Sequence, residues 1–416
     1  MITDQLSSPV TSTNRRDLAL LWFGQLVSQA GDAVTGMATM WLALDLTGSK
    51  TAAGFVAFAQ TLPVLLFSLV AGVAVDRLNR RRLLLLSDAA RLLLVCLIPL
   101  LYQSGRLNAL ILAAIVFAMS AFSSLFNPAR DTLVPLLVDR ERYLRVNALM
   151  QSSGYLAFFL GLFGAGGLLG FVSITTLFWF DAATFAVSLI SIWLMRVPEA
   201  EHAAADGRRA GVLDDLCEGL RYVWREDRRL AWLVAITMAN NLFIMGPSVV
   251  GMPILVREAL SGGSREFAWL ESTYGIGMLI GTVLVWRLAK VGRKGTQLML
   301  GLAFDGLTYC PLFWVDHFGI SPFAAAVTII FIHSLGIPFI QVVRTSLIHS
   351  IVPSRLQGRV FSMIHFSVMG MTSISVAITG MVAEWLDMRT IFLIIGFGAG
   401  VCGLIGLARR DLREAD

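Results

Sequence analysis

Acidic side chains set deep inside apolar runs are the residues of this chain best placed to do chemistry. Asp32 falls near the middle of the first such run, and Gln25 and Gln29 precede it by seven and three residues. At 3.6 residues per turn the three share one polar stripe on an otherwise apolar helix. A charged side chain at that depth costs at least about 2.5–3.5 kcal/mol unless it faces a cavity or takes up a proton. The stripe therefore suits a site that alternately holds a proton and a cation or polar cargo. A structural acid paired with a neighbouring helix is the plainer alternative.

Asp88 and Arg91 lie three residues apart in the third run, a spacing at which the two neutralise each other, and they read as a structural ion pair. Asp181 in the sixth run, Asp305 in the ninth and His333 in the tenth are also deep, as candidates for proton coupling or substrate contact. Packing with satisfied hydrogen bonds is the competing reading for each. Glu271, nearer the outer surface with Tyr274 one turn below it, is placed to line an external vestibule. No His, Cys or carboxylate cluster has metal-ligand spacing, and no Walker-type phosphate loop occurs, so neither a metal nor ATP is expected and no cofactor is called for.

The elements that must position these groups are apolar runs of bilayer length. With 56% hydrophobic and 15% charged residues, and a mean hydropathy of +0.73, the chain is far more apolar than a soluble domain. Twelve spans are expected, at 18–44, 51–75, 83–103, 108–127, 146–170, 173–195, 230–256, 266–289, 296–315, 321–343, 360–384 and 389–408. The longest polar interruption, 196–229, divides them six and six, into a bundle over 1–195 and another over 230–416. Within it, Val212, Leu213, Leu216, Leu220, Val223 and Trp224 recur at helical spacing, as in an amphipathic helix lying on the membrane face.

Charge distribution sets the orientation. Of 33 Lys and Arg, only Lys50, Arg106, Arg257, Arg265 and Arg389 fall on one side, while Arg91 lies within a span and the rest lie on the other. By the positive-inside rule both termini are cytoplasmic, in a multi-pass protein of an inner (plasma) membrane. The net charge of +5 is explained by this bias, and no nucleic-acid partner is expected. The four cysteines are widely spaced and suggest no disulfide.

The densest charge lies in Gly72-Val73-Ala74-Val75-Asp76-Arg77-Leu78-Asn79-Arg80-Arg81-Arg82, between two spans. The pattern Gly-x-x-x-Asp-Arg-x-x-Arg-Arg resembles the loop signature of the major facilitator superfamily. Asn127-Pro128-Ala129-Arg130 through Pro135, Trp22-Phe23-Gly24-Gln25 with Gly31-Asp32, and Pro353 to Gly358-Arg359-Val360 are similar to the branch holding macrolide efflux proteins and the enterobactin exporter. Proton antiporters of this superfamily often carry a Gly-Pro-rich signature in the fifth span. This chain has Gly161, Gly164, Gly166 and Gly167 without the proline, which leaves the export direction open.

The resemblance implies an all-helical major facilitator fold. It further implies a monomeric secondary transporter, not an enzyme, that moves a hydrophobic or amphipathic small molecule by alternating access against a proton gradient. A lysophospholipid translocator or an importer on the same fold, a membrane enzyme and a transporter-derived sensor are the alternatives. Gly72, Asp76, Arg77, Arg80 and Arg81 would form a gate latch, breaking when the bundles part. Retention of arginine on the cytoplasmic side is the simpler reading of the arginines. The halves also share sequence. Arg130-Asp131-Thr132-Leu133-Val134 matches Arg344-Thr345-Ser346-Leu347-Ile348, and Arg145-Val146 matches Arg359-Val360, both at an offset of 214. A worn copy of the loop runs from Gly281 through Arg287, Gly292 and Arg293 to Lys294, with Val285 where the acid would lie. Such repeats build two bundles that rock about a central site.

Overall fold

The computed structural model describes residues 15–138, 142–196, 220–226, 228–288 and 293–415, giving the backbone alone over 68–77 and at a few other helical positions. No strand occurs among the described residues. Six long helices come first: α1 Arg15–Thr47, α2 Lys50–Arg77, α3 Arg80–Gln103, α4 Ala109–Leu137, α5 Tyr143–Leu168 and α6 Thr176–Leu194. Six more follow: α7 Arg228–Glu258, α8 Ser264–Leu288, α9 Lys294–His317, α10 Pro322–Ile351, α11 Ser354–Val382 and α12 Met388–Ala408. A short α13, Arg410–Arg413, closes the chain. Each of the twelve expected spans falls on one of the twelve long helices.

Among the described residues, ten helices are long and apolar enough to cross a membrane, and Ser153–Leu168 of α5 is a shorter apolar stretch. The helix outside that set is α1, whose Gln25, Gln29 and Asp32 lower its hydropathy. Ends are set by local chemistry. The Asn79 and Asn108 side chains accept from the backbone N–H of Arg82 and Ile111, at 3.1 and 2.9 Å, and so cap α3 and α4. Prolines within helices are tolerated where neighbouring helices satisfy the freed groups. At the π turn Pro247–Gly251 of α7, Ser375 of α11 accepts from Gly246 N–H at 2.7 Å and donates to Leu242 O at 2.6 Å.

The repeat seen in the sequence is a repeat of structure. Paired helices begin at 15 and 228, 50 and 264, 80 and 294, 109 and 322, 143 and 354, and 176 and 388. Packing repeats too. In the first half α1 lies on α5 and α6, α2 on α4, and α3 on α4 and α6, and α7 to α12 make the corresponding contacts. The two six-helix bundles meet by an exchange of equivalent helices, α2 against α11 and α5 against α8.

The seam is tight at the end of the molecule where α2 begins. A Cβ on Gly54 would lie 2.7 Å from the Gly380 Cα, so only glycine lets α2 and α11 approach this closely. Polar contacts close the same end. Lys50 pairs with Glu258 at 2.8 Å and Arg257 with Asp45 at 3.0 Å. Glu384 accepts from Ser49 Oγ at 2.7 Å and from Thr51 N–H at 2.9 Å. Most of the expected amphipathic helix over 212–224 lies outside the described residues. Of it, Tyr222–Glu226 forms a π turn that buries Val223 and leaves Trp224 exposed.

Candidate functional site

α1 is the axis of the first site. It turns Gly31 to α6, Ala30 to Gly161 of α5 and Gln25 to Arg130 of α4. Asp32 lies two turns on from Gln25 on the same face, with 41% of its side chain exposed in the middle of a span. Its Oδ2 accepts from Arg91 Nη1 of α3 at 3.3 Å. The same guanidinium donates through Nη2 to Asp88 Oδ1, and Ser188 of α6 donates to Asp88 Oδ2 at 2.6 Å. The rings of Phe126 and Phe185, 4.8 and 4.5 Å from the guanidinium carbon, hold the cation in place. The pairing of Asp88 with Arg91 is therefore present but not self-contained, because Arg91 is shared with Asp32.

Asp181 completes the group. Its Oδ2 accepts from Thr35 Oγ1 of α1 at 2.6 Å and its Oδ1 from Thr184 at 2.9 Å. A Cβ on Gly31 would lie 2.1 Å from Asp181 Oδ1, so the missing side chain beside Asp32 is what admits this carboxylate. Two carboxylates thus share one guanidinium, and a third stands against Gly31, next to Asp32 in the chain. Asp88 and Asp181 are fully buried, and Asp32 is the member that reaches open space. Gln25 accepts from Arg130 Nη1 at 3.1 Å and from Gln29 at 3.3 Å, which extends the stripe along α1.

The second half holds a different arrangement. Asp305 of α9 accepts through Oδ2 from Asn240 of α7 at 3.0 Å. Its Oδ1 faces His333 Nε2 of α10 at 3.6 Å, and neither atom has another hydrogen-bond partner among the described residues. His333 Nδ1 lies 2.9 Å from Thr308 Oγ1, which is also within hydrogen-bond distance of Phe304 O at 2.8 Å and Asp305 O at 3.0 Å. The imidazole stacks on Tyr309 at 4.0 Å, and the Tyr309 hydroxyl bonds to Ser248 at 2.8 Å. With Thr308 accepting from Nδ1–H, one proton fits between Nε2 and Oδ1. Both residues are buried, so this pair is closed off from the space that Asp32 faces.

The loop signature divides. Arg81 donates to Ile192 O at 3.2 Å and to Trp193 O, carbonyls in the last turn of α6, where a cation complements the helix dipole. Arg80 opens α3. Gly72, Asp76 and Arg77 lie where the backbone alone is described, and the latch expected there falls outside the described side chains. In the second copy Arg293 reaches Glu414 of the C-terminal segment at 3.6 Å, a contact within its own half.

The residue pattern gives Asp32, Asp181 and the Asp88–Arg91 pair as separate features, and the structure brings them together. Thr35, Thr184 and Ser188 escaped notice, although Thr184 stands one turn from Asp181 on the same face, a visible signal. Glu258 and Glu384, which close the Lys50 end, carried no local signal at all.

The sequence profile described as the Major Facilitator Superfamily matches residues 21–257 and 231–416. The multidrug efflux pump Tap of Mycobacterium tuberculosis is 27% identical over 415 residues, covering 97% of this chain and 96% of its own. Macrolide efflux protein A of Streptococcus pyogenes is 21% identical over 382 residues, covering 90% and 91%. Among solved structures, a POT family transporter with bound 5-aminolevulinic acid superposes at a TM-score of 0.76 with 15% identity over 94% of this chain and 96% of its own. The nucleoside transporter NupG does so at 0.72 with 13% identity, covering 94% and 98%. Those two likenesses concern the fold.

Proposed function

This chain belongs to the Major Facilitator Superfamily, and on that premise we propose that it is a proton-coupled exporter of a hydrophobic or amphipathic small molecule. It is a multi-pass membrane transporter and not an enzyme. The observation that carries the coupling is the ratio of charges in the first-half cluster: three carboxylates, one guanidinium, and only Asp32 of the three acids exposed. Arg91 neutralises one acid, so the cluster keeps surplus negative charge in a low-dielectric setting unless it holds protons. A proton arriving at Asp32 releases its bond to Arg91. The guanidinium then serves Asp88 alone, and α1 loosens from α3. Loss of that proton restores the bond.

Orientation follows from the positive-inside bias, which places the Lys50 end outside. With that end closed, cargo would enter from the opposite, cytoplasmic side, the side from which an exporter loads. Lys50–Glu258, Asp45–Arg257 and the bonds to Glu384 are then the outer gate. Gly72, Asp76, Arg77 and Arg80 form the inner one, with Arg81 holding the loop to α6. One proton charge crossing 100 mV supplies about 2.3 kcal/mol to drive the cycle. The efflux names of the relatives at 27% and 21% identity support the export direction.

The test is flux of a lipophilic dye in proteoliposomes with an imposed pH gradient. Gradient-driven movement abolished by a protonophore supports the reading. Movement that ignores the gradient, or its absence across a panel of neutral, anionic and cationic dyes, counts against it.

A further inference from the structure

α8 carries an intramembrane carboxylate that the proposed proton cycle does not use. Its register can be read from what its small residues touch. Gly275 abuts Phe158 and Phe159 of α5, and Gly277 and Gly281 abut Phe331, Ser334 and Leu335 of α10. Ile276, Ile280, Val283 and Leu284 form the exposed apolar face toward lipid. The arc between the α5 and α10 contacts, turned away from lipid, carries Phe267, Glu271 and Tyr274. Phe267 stacks on Trp41 of α1 at 6.0 Å, so this arc faces the first half.

Glu271 is half-buried on that arc. Every other carboxylate described above in a span has a partner: Arg91 and Ser188, Thr35 and Thr184, or Asn240 and His333. Among the described residues Glu271 has no such partner and no cation stands against it. Aromatic rings lie beside it. Tyr274, one turn on, lies 6.2 Å from the Phe158 ring of α5 and 6.2 Å from the His333 ring of α10. A carboxylate without a counter-charge inside a span is expensive even where its oxygens are accessible, and a cation brought in from outside removes the cost. Rings beside it add attraction for the same cation and shelter its apolar body.

We propose that Glu271 is a cargo-binding residue, and that this transporter takes amphipathic cations, the charge on the Glu271 carboxylate and the apolar body against Tyr274 and Phe158. The proposal rests on the transport reading and gives its cargo a charge. The halves then divide the work: Asp32 and Arg91 handle the proton, and α8 handles the cargo. A cation and a proton need not compete for one acid. They are linked through the rocking of the halves, because α8 lies against α5, which in turn packs on α1.

The test uses the full-length protein in lipid nanodiscs and two probes, tetraphenylphosphonium, whose charge is independent of pH, and the uncharged triphenylphosphine oxide. Wild type is expected to bind the cation at least about tenfold more tightly than the neutral probe, and Glu271→Gln to lose that preference. Glu271→Asp keeps the charge and retains part of the preference, which separates charge from fold. Equal binding of the cation by wild type and Glu271→Gln would overturn the proposal. So would a Glu271→Gln protein that keeps cation affinity and loses only the pH dependence of flux, since Glu271 would then be a proton site. The binding measurement needs no gradient, so selective cation binding without proton-driven flux would sustain this site and overturn the transport mechanism instead.

Discussion

The two bundles share a helix plan and differ in what they keep at its centre. In the first half, Arg91 of α3 gathers Asp32 and Asp88, with Asp181 beside them. In the second, the position 214 residues on is Asp305 of α9, and its companion is a histidine. One half thus centres on a cation with surplus acids, one of them exposed. The other centres on an acid with a single buried base. Repetition fixed the frame, and substitution at equivalent depths made the two centres chemically unlike. The arginines of α4 and α10 show the same divergence. Arg130 pairs with Asp131 at 2.8 Å and with Gln25, whereas Arg344, in a crevice with Thr237 and Ser367, faces no carboxylate among the described residues.

The largest effect should come from removing the cation that holds the first centre together. Arg91→Met leaves Asp88 buried without its counter-charge and is expected to cost about 3–5 kcal/mol of stability, read as a lowered unfolding midpoint. Asp88→Asn on the same background should recover part of that loss. A variant with wild-type stability would mean that the acids around Arg91 are not charged.

Function should respond next, and at a different residue. Asp32→Asn is expected to fold normally, because Asp32 is exposed, and to lose gradient-driven accumulation of cargo. The drive forfeited is about 2.3 kcal/mol per charge at 100 mV, or roughly a fifty-fold concentration ratio. The accumulation ratio in proteoliposomes measures this, and a ratio matching wild type would erase the functional contrast between the halves.

The second centre should yield a smaller, coupled effect. If one proton lies between His333 and Asp305, the double-mutant cycle of His333→Gln and Asp305→Asn should show a coupling of about 1–3 kcal/mol in stability. Additive losses would show two independent buried groups.

The gate at the Lys50 end should give the smallest effect. Exposed ion pairs contribute about 0.2–1 kcal/mol each, so Lys50→Met shifts the balance of open and closed states severalfold at most. Glu384 adds a pH dependence. The Thr51 N–H and the Ser49 hydroxyl hold its carboxyl below the ordinary value of 4.5 in the closed state. When the end opens, the group returns to that ordinary value. The contribution to closure is therefore complete above the ordinary range and is lost as pH falls through the depressed one. Cross-linking of cysteines placed across this end should decline below the ordinary carboxylate range, and Glu384→Gln should remove the decline.

Much of the frame was legible in the residues, because a bilayer demands long apolar helices and sequence shows them directly. Asp32 with Gln25 and Gln29 stood out for the same reason, since polarity inside a span has few explanations. The i, i+3 spacing of Asp88 and Arg91 was equally plain. What could not be read was their assembly. Arg91 meets Asp32 across 59 positions, Thr35 meets Asp181 across 146, and Glu384 meets Ser49 across 335. Such contacts are set by which helix faces which, and neither hydropathy nor periodicity encodes that. That Glu271 meets no partner among the described residues is likewise a property of the packed bundle and not of its own neighbours in the chain.

The central claim is that binding of cargo and binding of a proton are linked through Asp32. Proton release on cargo binding tests it without membranes, gradients or turnover. Purified protein in weakly buffered solution with a pH-indicating dye should release close to one proton, on the order of stoichiometric, when saturated with tetraphenylphosphonium. Asp32→Asn should bind the same cation and release none. Equal release from both proteins would contradict the account.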